Sequence, residues 1–247
     1  MNPKNNQTQE MPFLQHLTEL RTCLLHSIIG IFIGAMACYY WVNELFRFIT
    51  SPITSSELKF EIIGTGPSEA FICKIQIAIV VGILLSCPFT FYQIWKFISP
   101  GLHDNEKKMA VPFIGFTSFF FLAGTSFCFF FVLPVAFDFF LEEFISVGIS
   151  PNIKIGEYLS FIVQLLLAFG VIFELPVLCY FLSRAELIKY KSLIDNFRYA
   201  VVGIFIIAGL LTPPDVISQM LMAMPLLVLY GLCLLITKHV EKQKALS

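Results

Sequence analysis

The stretch Leu159-Ser-Phe-Ile-Val-Gln-Leu-Leu-Leu-Ala-Phe-Gly-Val-Ile-Phe-Glu-Leu-Pro-Val177 decides the fold class. Continued to Phe181, it is long enough as a helix to cross the roughly 30 Å hydrocarbon layer of a bilayer. Gln164 and Glu174 are its only strongly polar side chains. Ionising an acid in hydrocarbon costs several kcal/mol, so Glu174 at that depth requires a reason. The two residues are ten positions apart, roughly 1000° of helical rotation, and so lie on different helix faces. Either Glu174 is neutral and hydrogen-bonded to a neighbouring helix, or it faces a wet cavity used for transport or recognition.

Composition extends this reading to the whole chain. Of 247 residues, 57% are hydrophobic and 13% charged, about half the charged share of a soluble domain. The chain is therefore an integral membrane protein. A net charge of −1 specifies no partner. The 28 Phe residues are accounted for by lipid-facing and interhelical packing. The seven Cys residues lie in or beside apolar runs and form no Cys-x-x-Cys or Cys/His cluster, which supports neither a metal site nor a disulfide framework. Ala35-Met-Ala-Cys38 resembles a lipoprotein cleavage site but lacks the alkyl residue at its start, so the first span is expected to be retained.

Apolar runs predict an all-α protein with six transmembrane helices at about 24–42, 70–95, 111–134, 159–181, 200–211 and 216–236, in a single membrane domain. The fifth run is short and ends at Thr212-Pro213-Pro214-Asp215. Neither proline donates a backbone hydrogen bond and each clashes with the preceding turn, so runs five and six form a tight helical hairpin. With the N-terminus inside, twelve of the sixteen Lys and Arg residues fall on the inner side, leaving only Arg47, Lys59, Lys74 and Lys154 outside. That bias places both termini in the cytoplasm. Tyr39-Tyr40-Trp41 and Tyr92/Trp95 then mark opposite interfaces. The 43–69 connection, with Pro52 and Gly64-Thr-Gly-Pro67, reads as a folded cap, and 137–157 as a helix end followed by a turn at Gly148 and Pro151.

The segment Phe13-Leu-Gln-His-Leu-Thr-Glu-Leu-Arg21, within residues 1–23, reads as an amphipathic helix on the inner surface that feeds the first span. No catalytic constellation appears: His16, His26, His103 and His239 are dispersed, and no second acid or His accompanies Glu174 inside a span. The chain is read as a non-enzyme without cofactor, metal or nucleic acid. A proton-coupled secondary transporter carrying its proton on Glu174 is the alternative. The absence of a visible internal repeat argues against that class.

Four separated motifs, in order, resemble the TatC family, the large membrane subunit of the twin-arginine protein translocase. They are His16-Leu-Thr-Glu-Leu-Arg21; Ser86-Cys-Pro88 through Tyr92-Gln-Ile-Trp-Lys-Phe-Ile-Ser-Pro-Gly-Leu102 and Glu106-Lys-Lys108; Phe169-Gly-Val-Ile-Phe-Glu-Leu-Pro176; and Leu211-Thr-Pro-Pro-Asp-Val-Ile-Ser-Gln219 with Met224-Pro225 beyond. The chain departs from many relatives at Cys23, Lys107-Lys108 and Phe129, which bears on fine signal-peptide preference.

The resemblance implies a receptor in the bacterial cytoplasmic (inner) membrane that binds twin-arginine signal peptides and exports folded proteins using the proton-motive force. It implies small single-span partners of the TatA/TatB type and a homo-oligomer within the receptor complex. By the same resemblance, Glu19, Arg21, Phe97 and Glu106 form the signal-peptide site, Glu174 is the intramembrane polar residue, and Thr212, Asp215 and Gln219 are an exposed partner-docking region; Gln164 is the other intramembrane polar side chain, read from the run itself. Pro52, Pro88, Pro213 and Pro214 are structural positions.

Overall fold

An apolar chain with no water at hand must close its backbone hydrogen bonds internally, and helices do so segment by segment. The computed structural model describes residues 7–54, 61–99, 110–212 and 216–246. In chain order these form α1 (Gln7–Tyr39), α2 (Val42–Thr54), β1 (Glu61–Ile63), α3 (Glu69–Ile98) and α4 (Ala110–Phe127). A π-helical turn (Cys128–Val132) leads into α5 (Leu133–Ser146), followed by β2 (Asn152–Lys154), α6 (Ile155–Ile172), α7 (Leu175–Arg184), α8 (Tyr190–Asp195), α9 (Phe197–Leu211) and α10 (Val216–Leu246). Among the described residues, five stretches are long and apolar enough to cross a bilayer: His16–Tyr39, Glu69–Ile98, Ala110–Ser146, Ile155–Arg184 and Val216–Lys244. Phe197–Leu211, at 15 residues, is shorter.

Several boundaries differ from those read off the sequence. The helix begun in the amphipathic N-terminal segment does not stop near Cys23 but runs unbroken to Tyr39. Thr22 and Ser27 return their hydroxyls to the carbonyls of Thr18 and Cys23, so polar side chains pass along it without interrupting it. It ends at Tyr39 rather than residue 42, in a turn at Tyr40-Trp41 where the Trp41 N–H donates to the Cys38 carbonyl at 3.0 Å. The third run continues past Pro134 to Ser146. Just before that proline, the Leu133 N–H reaches five residues back to the Cys128 carbonyl. The widened turn makes room where a proline ring would collide with the carbonyl four residues earlier.

The described residues cluster into two compact units. In the unit built from Met1–Val42 and Ile77–Ser118, α1 and α3 cross with their backbones in contact. A Cβ on Gly34 would lie 2.9 Å from the Gly82 carbonyl oxygen, and one on Gly82 only 2.5 Å from the Ala35 nitrogen. Glycines at such a crossing let two helices approach far enough for dispersion between backbones to hold them. Trp95, read from sequence as an interface anchor, is buried and packs on Phe113, ring centroids 4.7 Å apart, while Tyr92 remains exposed.

The other unit holds Asn43–Gln76 and Phe119–Ser247. The described residues of its 43–69 connection, read from sequence as a folded cap, hold most of α2 and all of β1. β1 pairs in parallel with β2, Glu61 opposite Asn152 and Ile63 opposite Lys154. Phe48 of α2 stacks on Phe129 at 4.8 Å, and the Tyr158 hydroxyl reaches the Ile49 carbonyl at 3.4 Å. The Glu69 carboxylate ties the cap together. It accepts from the Thr65 N–H and hydroxyl and the Gly66 N–H, and through Oε1 from the Gly156 N–H at 3.0 Å, at the start of α6. A carboxylate at a helix N-terminus satisfies a donor with no intrahelical partner and complements the helix dipole.

A Cβ on Gly156 would stand 2.8 Å from Glu69 Oε1, whereas one on Gly66 meets nothing within 4 Å. Gly156→Ala is therefore expected to push the carboxylate off this N–H and destabilise the unit by about 1–2 kcal/mol. Gly66→Ala should be near neutral. Thermal unfolding in detergent compares the two, and equal midpoints would remove the tie from the stability of the cap.

Within the same unit α4 and α6 cross at Gly124 and Gly170, where added Cβ atoms would meet Phe169, Phe173 and Phe121 within 2.7 Å. Helix α7 packs along α10. At its end Glu186 takes a left-handed conformation (φ 62°), and the Lys244 ammonium bridges the Arg184 carbonyl at 2.6 Å and the Glu186 carboxylate at 2.9 Å. That hydrogen bond from Lys244 holds the Glu186 carboxyl below its ordinary pKa.

Candidate functional site

On α1, His16 and Glu19 are three residues apart and share a face. The His16 ring stacks on Phe97, near the C-terminal end of α3, with centroids 4.3 Å apart and planes 15° from parallel. His16 Nδ1 lies 3.7 Å from Glu19 Oε2, close enough for a charge interaction but beyond hydrogen-bond length. Both side chains are about half exposed, at 50% and 42%. Among the described residues Glu19 accepts no hydrogen bond, so its oxygens retain their acceptor capacity. Arg21 is exposed and pairs with no described residue. The structure thus brings Glu19 and Phe97 together through His16, and shows no contact of either with Arg21 among the described residues. Glu106 lies outside the described residues. His16 was not singled out from sequence, although its spacing from Glu19 within the His16–Arg21 motif contained the signal.

Glu174 occupies a break. Pro176 has no N–H to give the Ile172 carbonyl, so α6 ends there and the chain tightens: the Phe173 N–H donates to Phe169, and the Glu174 N–H to Val171 only three residues back. Helix α7 restarts at Leu175, with the Leu178 N–H on the Glu174 carbonyl at 2.8 Å. The expected continuous fourth helix is therefore two helices in one apolar stretch. Glu174 is 7% exposed, and neither carboxyl oxygen has a hydrogen-bond partner among the described residues. Phe127, Phe169 and Phe173 form the aromatic cluster next to it in the chain and across α4. Gln164, exposed on α6, donates to the Leu210 carbonyl at 3.4 Å, at the end of α9.

The hairpin residues differ from expectation in exposure. Thr212 is buried, its hydroxyl donating back to the Ala208 carbonyl at 2.9 Å. Gln219 is half-buried and donates from Nε2 to the Phe205 carbonyl at 2.9 Å, so it clasps α9 to α10. Gly209 leaves room for it: a Cβ there would sit 3.0 Å from Nε2. Polar residues so close to a chain reversal satisfy its backbone first. Asp215, Pro213 and Pro214 lie outside the described residues, as does the side chain of Pro52, whose backbone lies in α2. Pro88 lies inside α3, which continues through it.

These features define a predominantly helical, multi-pass membrane protein in which the acids Glu19 and Glu174 stand out among the described residues. Among the described residues, no three His, Cys, Asp or Glu side chains are placed to hold a metal. The family model described as Sec-independent protein translocase protein (TatC) matches residues 15–225. The chain belongs to the TatC family, a family of protein translocase components rather than enzymes.

The Sec-independent protein translocase protein TatC of Helicobacter pylori (strain J99) is 42% identical over 226 residues, 92% of this chain and 88% of that protein. Its counterpart from Carboxydothermus hydrogenoformans is 40% identical, with 95% and 96% covered. A crystal structure of the twin-arginine translocase receptor TatC superposes with a TM-score of 0.83 at 35% identity, over 92% of this chain and 99% of that one.

Proposed function

We propose that this protein is the receptor core of a twin-arginine translocation system. It binds arginine-pair signal peptides, nucleates assembly with small single-span subunits of the TatA/TatB type, and exports folded proteins on the proton-motive force. It works as one membrane domain of six spans in the bacterial cytoplasmic (inner) membrane, with both termini cytoplasmic, as a homo-oligomer within the receptor complex and without a cofactor. One observation carries the reading: an acid with free acceptor capacity, Glu19, beside the stacked His16–Phe97 pair. Arg keeps its charge and binds carboxylates as a bidentate fork, so such an acid suits an arginine pair.

The test separates a receptor from a proton-coupled carrier. Purified protein should retain a labelled arginine-pair signal peptide. Solute uptake driven by a pH gradient in proteoliposomes, without peptide retention, would reject the receptor reading.

The fifth of the six spans in this reading is α9, 15 residues, about 22 Å as helix against a core of roughly 30 Å. The bilayer thins there or is locally wetted. Beside the Gln219 clasp, Val216, Ile217, Met220 and Met224 are all more than half exposed. A single-span partner docks on this face. Crosslinkers at these positions should trap a partner helix, and trapping of lipid alone in cells containing the partners would count against it.

Glu174 belongs to the transport path in this reading, contacting a polar group of a partner helix during export. An unpaired buried carboxyl contributes no stability, so removing it should not weaken the fold. Glu174→Gln is expected to unfold no earlier than the native protein and to retain part of its export. Glu174→Ala should assemble but export poorly. Native export rates from both variants would take Glu174 out of the mechanism.

A further inference from the structure

The His16–Phe97 pair has a geometry that a carboxylate site for positive charge does not need. A compact ammonium requires only the acid. Here the acid sits at the edge of a flat aromatic surface: His16 lies parallel to Phe97, 15° apart at 4.3 Å, and its Nδ1 is 3.7 Å from Glu19 Oε2. Phe97 covers one face of the imidazole, and half of the His16 side chain remains exposed. A guanidinium is planar and weakly hydrated, and it stacks on rings while directing its N–H fork at a carboxylate. A plane bordered by an acid matches both properties at once. The stack has a second consequence: it fixes the His16 ring, which otherwise turns about two side-chain torsions, so the surface is formed before the ligand arrives.

We infer that His16 is a specificity-determining residue: its ring, backed by Phe97, is the platform on which an arginine guanidinium of the signal peptide lies, and it makes the Glu19 site select arginine over lysine. This rests on the receptor reading above and adds to it the residue that reads side-chain shape rather than charge. Glu19 supplies attraction to either cation. The His16–Phe97 plane supplies attraction to one of them.

The experiment measures fluorescence anisotropy of two synthetic signal peptides, identical except for an Arg-Arg or a Lys-Lys pair, on the purified full-length chain in detergent. His16→Ala removes the platform. His16→Leu keeps apolar bulk against Phe97 but has no flat face. His16→Phe preserves the plane. The Ala and Leu variants should weaken the arginine peptide about three- to tenfold and alter the lysine peptide by less than about twofold, collapsing the preference. The Phe variant should keep the preference within about twofold of native.

Equal weakening of both peptides, or a native preference in the Leu variant, overturns the inference. So does a Phe variant that behaves like Leu. Glu19→Gln is measured alongside. If it weakens both peptides while the His16 variants leave the preference intact, the platform alone is wrong. If it leaves arginine-peptide binding unchanged, the receptor reading of Glu19 fails and the platform with it.

Discussion

Changing Glu19 and Glu106 together to Gln should abolish crosslinking of an arginine-pair signal peptide while leaving the protein inserted and folded. Two guanidinium groups arriving at a membrane surface exchange strong hydration for contacts that must be at least as good, and only carboxylates offer a charge-assisted fork. Glu19 has its acceptors free among the described residues and a side chain 42% exposed. Its pairing is therefore partly screened, and Glu19→Gln alone should cost about 1–2 kcal/mol of binding, roughly five- to thirtyfold. A fully desolvated pair would cost about 2–5 kcal/mol on losing one partner. The two single variants weaken binding and the double variant removes it. Asp104→Asn, two positions before Glu106 in the chain, and Glu186→Gln provide the control. Glu186 already spends its carboxylate on Lys244. If these acids matter as much as Glu19 and Glu106, the site is a diffuse acidic field and the specific assignment is wrong.

A second large effect is expected far from any ligand, at the crossing of α1 and α3. A Cβ on Gly82 would lie 2.5 Å from the Ala35 nitrogen, 2.8 Å from its Cα and 3.0 Å from its Cβ. The first two are backbone atoms, so no rotamer change relieves the overlap and the helices must separate. Overpacking a well-filled contact costs about 1–3 kcal/mol, and Gly82→Ala should fall at the upper end of that range. For a chain of this size such a loss lowers the unfolding midpoint by about 6–12 °C. Gly82→Leu should prevent recovery of folded protein. Gly115, in the same unit, has nothing within 4 Å of the point where a Cβ would stand, and Gly115→Ala should melt with the native protein. A native midpoint for Gly82→Ala would mean that the helices do not need their backbone contact.

The fold class was legible because it depends on a one-dimensional quantity. Runs of apolar residues long enough to span hydrocarbon must be helices, and no neighbour can reverse that. The helices on either side of the 213–215 junction, α9 and α10, were legible in the same way. The family could also be read from motif order, and the match over residues 15–225 agrees with it. Helix ends were less legible. Pro134 looks like a stop but is carried through by a π-helical turn, whereas Pro176 looks similar and breaks the helix at Glu174. A proline removes one hydrogen bond in either case, and surrounding packing decides whether the backbone widens, tightens or breaks.

What the sequence determined by itself, then, is the membrane, the helices, the family and which acids stand out. Hydropathy and motif spacing are properties of the chain in order. Only the tertiary structure decided which of those polar groups are free. Thr212 and Gln219 look available in the sequence and are spent on the Ala208 and Phe205 carbonyls. Glu69, which the sequence left unremarked, bonds to Gly156, 87 residues away. His16 meets Phe97 across two helices. Each of these facts depends on which backbone carbonyl, N–H or ring lies within a few ångströms, and that distance is set when helices separated in sequence pack together.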